Sequence, residues 1–292
     1  MYFLSDIEQK LLINKQILAR KVGVSEELRG WNWSNPPLNP YYSEVYIPMY
    51  LACSKYCSKN RDIFVEEVLG KKGIINFNVM QGIVIHRAVC DVFENFVERK
   101  KLDFDKWWHL NYKDQVPESY SKIIKNRTKI VWEYTKDSCK SVFLNRLFEQ
   151  PYASKRDVLA TSLPFLTEHK LNGNFLGLSD ILSVDCYDYL HNIVFDIKVA
   201  SKQRKWFKLY PTGYALVIES IYEIPVDIGC TVYISFIGEK LNIKKDIFFI
   251  NDDLRSWWVE ERDKKLEIVA QKKDPGMPQK CPDSCIYLHE CR

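Results

Sequence analysis

The sequence predicts an α/β protein: a central mixed sheet flanked by helices, preceded by a helical region and followed by a cysteine-rich tail. Three observations carry this expectation. Apolar residues recur with a helical period over the first half of the chain, and from about residue 159 the period changes to two. Pro275-Gly276 then breaks the chain ahead of Cys281, Cys285 and Cys291. The order is helices, three strands, a helix, two strands and a helix, which is the order of a mixed sheet with helices packed around it.

Taken in order, residues 5–23 have helical periodicity. Consecutive prolines in Trp31-Asn-Trp33-Ser-Asn-Pro36-Pro37-Leu-Asn-Pro40 exclude regular helix there. Residues 42–69 read as helix, with Cys53 and Cys57 one turn apart on a shared face. Residues 79–100 form an amphipathic helix with Gly82, His86, Val89, Phe93 and Phe96 along one stripe, and 115–149 read as further helix. Strands are expected at 163–171, 174–186, 192–200, 230–237 and 241–250. Pro211 opens a helix over 211–222, and Asp252 and Asp253 cap a last one to about 272. The expected organisation is an N-terminal helical region, 1–78, a core, 79–273, and a cysteine tail, 274–292.

Length and composition bound the function. A chain of 292 residues, 46% hydrophobic and 14% aromatic, supports a substantial core. A net charge of +4 permits a nucleic-acid partner without requiring one. No apolar run is long enough to span a bilayer, and Met1-Tyr-Phe-Leu-Ser-Asp lacks the shape of a secretory signal. Nine cysteines, an odd number, fit a reducing cytoplasm with metal-bound thiols better than a disulfide framework.

Cys281, Cys285 and Cys291 have the density of a soft-metal site, either Zn²⁺ or an iron–sulfur cluster. Cys53 and Cys57 compete for the fourth place, and either would tie the tail to the N-terminal region. Cys90, Cys139, Cys186 and Cys230 stand singly and read as small buried hydrophobes.

A second anomaly is acidic. In Ile193-Val-Phe-Asp196-Ile197-Lys198-Val-Ala200 both strand faces are apolar except for Asp196 and Lys198, which share one. Two charges on a doubly buried strand need compensation. Over 174–186, Asp180 is the polar member of a face with Leu176, Leu178 and Leu182. Adjacent antiparallel strands would set Asp180 beside Asp196, a conflict that a divalent cation resolves. Oxygen ligands select Mg²⁺ or Mn²⁺, and His86, on the apolar stripe of its helix, is placed to join them.

Gly82-Ile-Val-Ile-His86, Gly177-Leu-Ser-Asp180, Asp196-Ile-Lys198 and Tyr214-Ala-Leu-Val-Ile-Glu219 resemble the successive motifs of RecB-type nucleases of the PD-(D/E)xK fold. The cysteine tail with one upstream cysteine resembles the iron–sulfur members: the CRISPR-associated RecB-like exonucleases (the fourth numbered Cas family), AddB-type nucleases and Dna-two helicase-nucleases. The chain has no room for a helicase domain, which favours the CRISPR-associated form. Gly30-Trp-Asn-Trp-Ser-Asn-Pro-Pro and Tyr56-Cys57-Ser-Lys-Asn-Arg61-Asp62 resemble its archaeal subtype I-A version.

The resemblance implies a RecB-like core with an iron–sulfur clasp, and His86, Asp180, Asp196 and the Ile197 carbonyl as ligands of Mg²⁺ or Mn²⁺. It implies that Lys198 orients the attacking water, that Tyr214 faces the site and that Glu168 joins the outer shell. It favours a 4Fe–4S cluster on Cys57, Cys281, Cys285 and Cys291. Tyr210 departs from the pattern, which usually has Gln four residues before the motif tyrosine. The tail spacing, Cys-x3-Cys-x5-Cys, is one residue longer than the commoner form.

The implied activity is metal-dependent exonuclease action on single-stranded DNA or overhangs, in CRISPR spacer acquisition beside the adaptation integrase proteins. Lys202, Gln203, Arg204, Lys205 and Lys208, with Trp206 and Phe207 among them, would supply cations and stacking faces for DNA. The competing expectation is an inactive iron–sulfur or zinc scaffold subunit of the adaptation complex with a degenerate nuclease site.

Overall fold

A computed structural model describes residues 1–291 of the chain. Helix α1 (Asp6–Val22) starts with a reciprocal cap: the Ser5 hydroxyl accepts the Glu8 N–H, and the Glu8 carboxylate accepts the Ser5 N–H. The span 42–69, expected as one helix, is broken. It contains α2 (Met49–Cys53), an irregular stretch, then α3 (Arg61–Ile63) leading into a π-turn at Phe64–Val68. Asn60 has φ 54°, in the left-handed region, which a continuing right-handed helix does not admit. Between the two cysteines the backbone is already extended at Ser54, with φ −64° and ψ 136°, so Cys53 and Cys57 do not share a helix face.

Helix α4 (Phe77–Val97) is capped by Asn76, whose side chain accepts the Val79 N–H. It packs lengthwise on the long helix α6 (Glu118–Glu149), with α5 (Phe104–Asn111) filling the angle between them through Phe104, Trp107 and Trp108. Helix α7 (Lys155–Ser162) leads into the sheet. Among the described residues no helix is long and apolar enough to cross a membrane.

The sheet has five strands whose spatial order follows the chain: β1 (Phe165–Leu171), β2 (Leu182–Asp188), β3 (Ile193–Val199), β4 (Ile228–Ile237) and β5 (Lys240–Phe249). All neighbours are antiparallel except β3 and β4. A parallel step needs a crossover, and α8 (Leu209–Tyr222) supplies it. Helix α9 (Asp252–Gln271) follows β5. The expected strand over 174–186 is half loop: Asn174–Leu176 is a 3-10 turn, Gly177 is left-handed at φ 70°, and β2 begins only at Leu182.

Each sheet face carries its own core. Ile193, Phe195, Cys230 and Val232 meet Ile85, Val89 and Phe93 of α4 on one face. Val194, Tyr187 and Tyr233 meet Leu216 and Val217 of α8 on the other. β3 is buried on both sides, as its sequence requires.

One carboxylate joins the α8 layer to three other segments. Glu219 is fully buried. Its Oε1 accepts from Arg29 at 2.9 Å, Arg255 at 2.8 Å and the Val226 N–H at 2.9 Å. Its Oε2 accepts from Arg255 at 2.7 Å and the Gly30 N–H at 2.8 Å. Gly30 lies so close to α8 that a Cβ there would stand 2.1 Å from the Leu216 carbonyl oxygen.

Neutralising this carboxylate leaves two buried guanidinium groups undercompensated. Glu219→Gln should lower the unfolding free energy by about 3–5 kcal/mol in guanidinium titrations followed by tryptophan fluorescence. A loss as small as that of an exposed pair such as Lys264–Glu260, about 0–1 kcal/mol, would contradict the role assigned to Glu219.

Candidate active site and cysteine clasp

β2 and β3 pair only at Asp188–Ile193, Tyr187–Val194 and Cys186–Phe195. Their hairpin is set by Asp188, whose Oδ1 accepts the N–H groups of Leu190 at 3.0 Å and His191 at 2.9 Å, and by Asn192 at φ 57°. Beyond Cys186 the strands part, while β3 continues alongside β4 to Val199. The Asp185 carboxylate fills the fork, its Oδ2 accepting the Ile197 N–H at 2.7 Å. It thereby satisfies a strand N–H that β2 backbone no longer pairs. One further step of the register sets Asp185 opposite Asp196, on the same sheet face.

Side chains from three other elements converge on this fork. From α4, His86 Nε2 lies 3.0 Å from Asp185 Oδ1, without hydrogen-bond geometry to it. His86 Nδ1 lies 3.5 Å from Glu168 Oε1. Glu168 interrupts β1: the register passes from Thr167 to His169, and Glu168 has φ 49°. Asp196 Oδ1 takes the Lys198 ammonium at 3.0 Å, while its buried Oδ2 has no partner among the described residues. Lys198 Nζ stands 3.2 Å from the centre of the Tyr210 ring on α8.

The electrostatics follow from this crowding. Burial would lower the His86 imidazole, but Asp185 foremost, then Glu168 and Asp196, outweigh it and raise the group to about 9. Burial raises Asp196 to about 7, with Asp185 adding to the rise and Lys198 opposing it. Asp185 is also pushed upward by burial, yet His86, Lys198 and the Ile197 N–H hold it below the usual carboxylate range. Tyr214, buried on α8 one turn beyond Tyr210, is pushed well above the usual phenol range by burial and then by Asp185, Asp196, Cys53 and Glu168.

His86, Asp196, Lys198 and Tyr214 thus come together, with Ile197 at the fork, its N–H held by Asp185 and its side chain packed on the α4 face. Asp180 does not join them. It is exposed in the bend before β2, and Asp185, absent from the expected set, occupies the place assigned to it. Trp206 and Phe207 are buried in the α8-side core rather than offered for stacking. Arg204 lies over Tyr56 at 5.0 Å, and 201–205 remain exposed. The donor set fits a divalent cation: a nitrogen and a carboxylate that face each other without hydrogen bonding, and a buried carboxylate oxygen with no partner among the described residues.

The tail returns to the N-terminal region. Ile74 N–H donates to the Ile286 carbonyl at 2.8 Å, and Asn76 donates to the Ser284 carbonyl at 2.8 Å. Buried Arg61 reaches Cys291 Sγ at 3.0 Å, the Glu290 carbonyl at 3.1 Å and Asp274 with two nitrogens. Tyr287 bonds Glu66, which also takes Tyr50. Burial raises the Cys285 thiol, and Cys281, Cys291 and Cys57 add to that rise. Cys53 belongs elsewhere: it is fully buried in the α8-side core, 3.6 Å from the Met49 sulfur.

The chain belongs to the family of the CRISPR-associated exonuclease Csa1, whose model matches residues 1–292. It is similar to the CRISPR-associated exonuclease Csa1 of Saccharolobus solfataricus, with 29% identity over 96% of this chain and 97% of that protein. It is also similar to the CRISPR-associated exonuclease Csa1 of Thermoproteus tenax, with 25% identity over 97% of each. No solved structure matches it.

Exposure separates the cysteines into two sets, which predicts their reactivity. In native, metal-stripped protein a thiol reagent should label Cys57, Cys281, Cys285 and Cys291, all part-exposed, well before the buried Cys53, Cys90, Cys139, Cys186 and Cys230. Mass-spectrometric mapping that found Cys53 labelled as fast as Cys57 would contradict this division.

Proposed function

We propose that this chain is a divalent-metal-dependent deoxyribonuclease, an exonuclease that trims single-stranded DNA or overhangs during CRISPR spacer acquisition beside the adaptation integrase proteins. The observation that carries the reading is the convergence of His86, Asp185, Asp196 and Lys198 at the fork of β2 and β3. The similarity to proteins named as CRISPR-associated exonucleases supports it.

His86 Nε2, Asp185 and Asp196 would hold Mg²⁺ or Mn²⁺, with the Ile197 carbonyl as a further ligand. When bound, the ion supplies positive charge against the scissile phosphate and acidifies a water. Lys198 provides a second cation beside it, aimed by Asp196 and by the face of Tyr210. That ring takes the place of the usual glutamine, so a flat π surface rather than an amide holds the lysine. Tyr214 borders the same space. Exposed Lys202, Arg204 and Lys205 lie just past β3, where they would meet the DNA backbone.

Cys57, Cys281, Cys285 and Cys291 would bind a 4Fe–4S cluster that clasps the tail to the segment around residues 57–76. The alternative, an inactive scaffold subunit, draws on the Tyr210 ring covering Lys198.

Three sets of variants test the proposal. Asp185→Asn and Asp196→Asn should each abolish Mn²⁺-dependent digestion of single-stranded DNA, whereas Asp180→Asn should leave it within about threefold, as for a surface substitution. Wild-type-like activity in Asp196→Asn, or none in the wild type, would favour the scaffold.

Tyr210→Phe keeps the ring and should keep most activity. Tyr210→Ala should lose about 2- to 30-fold, equivalent to a cation–π contact of roughly 0.5–2 kcal/mol. Equal losses in both variants would assign the role to the hydroxyl instead.

For the clasp, Cys57→Ser should lower iron content and melting temperature together in protein prepared without oxygen, and Cys53→Ser should keep its iron. Stoichiometric zinc without iron would replace the cluster.

A further inference from the structure

His86 has a second nitrogen, and it faces a different kind of site. Cys90 lies four residues further along α4, hence on the same helix face. Its Sγ is 3.4 Å from Glu168 Oε1, and His86 Nδ1 is 3.5 Å from that same oxygen. Tetrahedral zinc, with bonds of about 2.1 Å to nitrogen and oxygen and about 2.3 Å to sulfur, holds its ligand atoms about 3.4–3.6 Å apart. Among the described residues, this is the trio of His, Cys, Asp and Glu ligands whose atoms all lie within 4.8 Å of one another. Glu168 Oε2 is occupied by the Ser183 hydroxyl, with Lys170 at 3.6 Å, so the carboxylate is turned to present Oε1 to Cys90 and His86. The left-handed backbone at Glu168 is what aims it there from within β1.

We propose that His86, Cys90 and Glu168 form a soft-metal site that takes Zn²⁺, and that its occupation disables the adjoining hard-cation site. A thiolate selects zinc over Mg²⁺ or Mn²⁺, so the two sites differ in kind while sharing one residue. Zinc entry displaces the Cys90 thiol proton and any proton on His86 Nδ1, and both pass to water. The two sites share one imidazole, whose other nitrogen lies 3.0 Å from Asp185 Oδ1. Zinc on one edge of the ring sets a second dication against any ion on the other, and that repulsion opposes occupation of the hard-cation site. The shut-off rests on the function proposed above; zinc binding at the trio does not.

The test uses full-length protein with its cluster loaded. Co²⁺, the spectroscopic probe, should produce a thiolate charge-transfer absorption in the wild type that is lost in Cys90→Ala. In Mn²⁺-dependent digestion, Zn²⁺ should inhibit the wild type. Cys90→Ala should cleave normally and need at least about tenfold more Zn²⁺ for the same inhibition, the usual consequence of weakening a metal site. Glu168→Gln, which preserves shape, should shift zinc sensitivity in the same direction. An unchanged Co²⁺ band in Cys90→Ala, or unchanged Zn²⁺ sensitivity, would overturn the site. Absence of Mn²⁺-dependent cleavage in the wild type would instead overturn the nuclease reading, leaving the Co²⁺ band to decide the zinc site alone.

Discussion

The fold turns on the Glu219 carboxylate. Its oxygens accept five hydrogen bonds from three segments: the turn at Arg29 and Gly30, the approach to β4 at Val226, and Arg255 of α9, all meeting on α8. Burying such a charge is costly unless every lone pair is used, and here they are. The α8 helix held this way carries Tyr210 and Tyr214 to the site. A charge remote from any chemistry thus sets the position of the ring against which Lys198 rests.

A second constraint is the parting of β2 from β3. Sheets rarely leave a buried strand N–H without a partner, and the Ile197 N–H is satisfied by a side chain instead of backbone. That substitution brings a carboxylate into the sheet beside Asp196. Burial pushes Asp196 up and the nearby Asp185 carboxylate adds to the rise, while His86 foremost holds Asp185 low against its own burial. The arrangement is costly as a piece of architecture and apt as a cation trap.

Much of this was legible in the sequence, and the failures are instructive. Asp196-Ile-Lys198 stands out because two charges sit on a strand apolar on both faces, and the structure buries it on both faces. The five strands of a mixed sheet and the helix between the third and the fourth follow from the period change and from Pro211. Asp180 misled because Gly177-Leu-Ser-Asp180 reads as strand, whereas the left-handed turn at Gly177 and the bridge of Leu178 to Ile47 hold it as loop. Counting back from the hairpin would have found Asp185: Asp188 pairs with Ile193, so the residue facing Asp196 is three before Asp188. The broken helix over 42–69 was hidden for a different reason. Nothing local announces that Asn60 turns left-handed, and the segment takes its shape from a tail more than 200 residues away, through contacts such as Arg61 to Cys291.

That distance has a kinetic consequence. Arg61 and Cys291 are separated by 230 residues, yet closing so long a loop costs only about 0.6 kcal/mol more than closing one half as long. The obstacle is order of events rather than free energy. Contacts of such long range form after the local helices and hairpins that bring their ends together. The N-terminal half of the clasp is also synthesised well before its partner. Closure of the tail on Arg61 and Glu66 is therefore a terminal step of folding, one that a chain with a misassembled sheet does not reach. The clasp distinguishes finished molecules from unfinished ones.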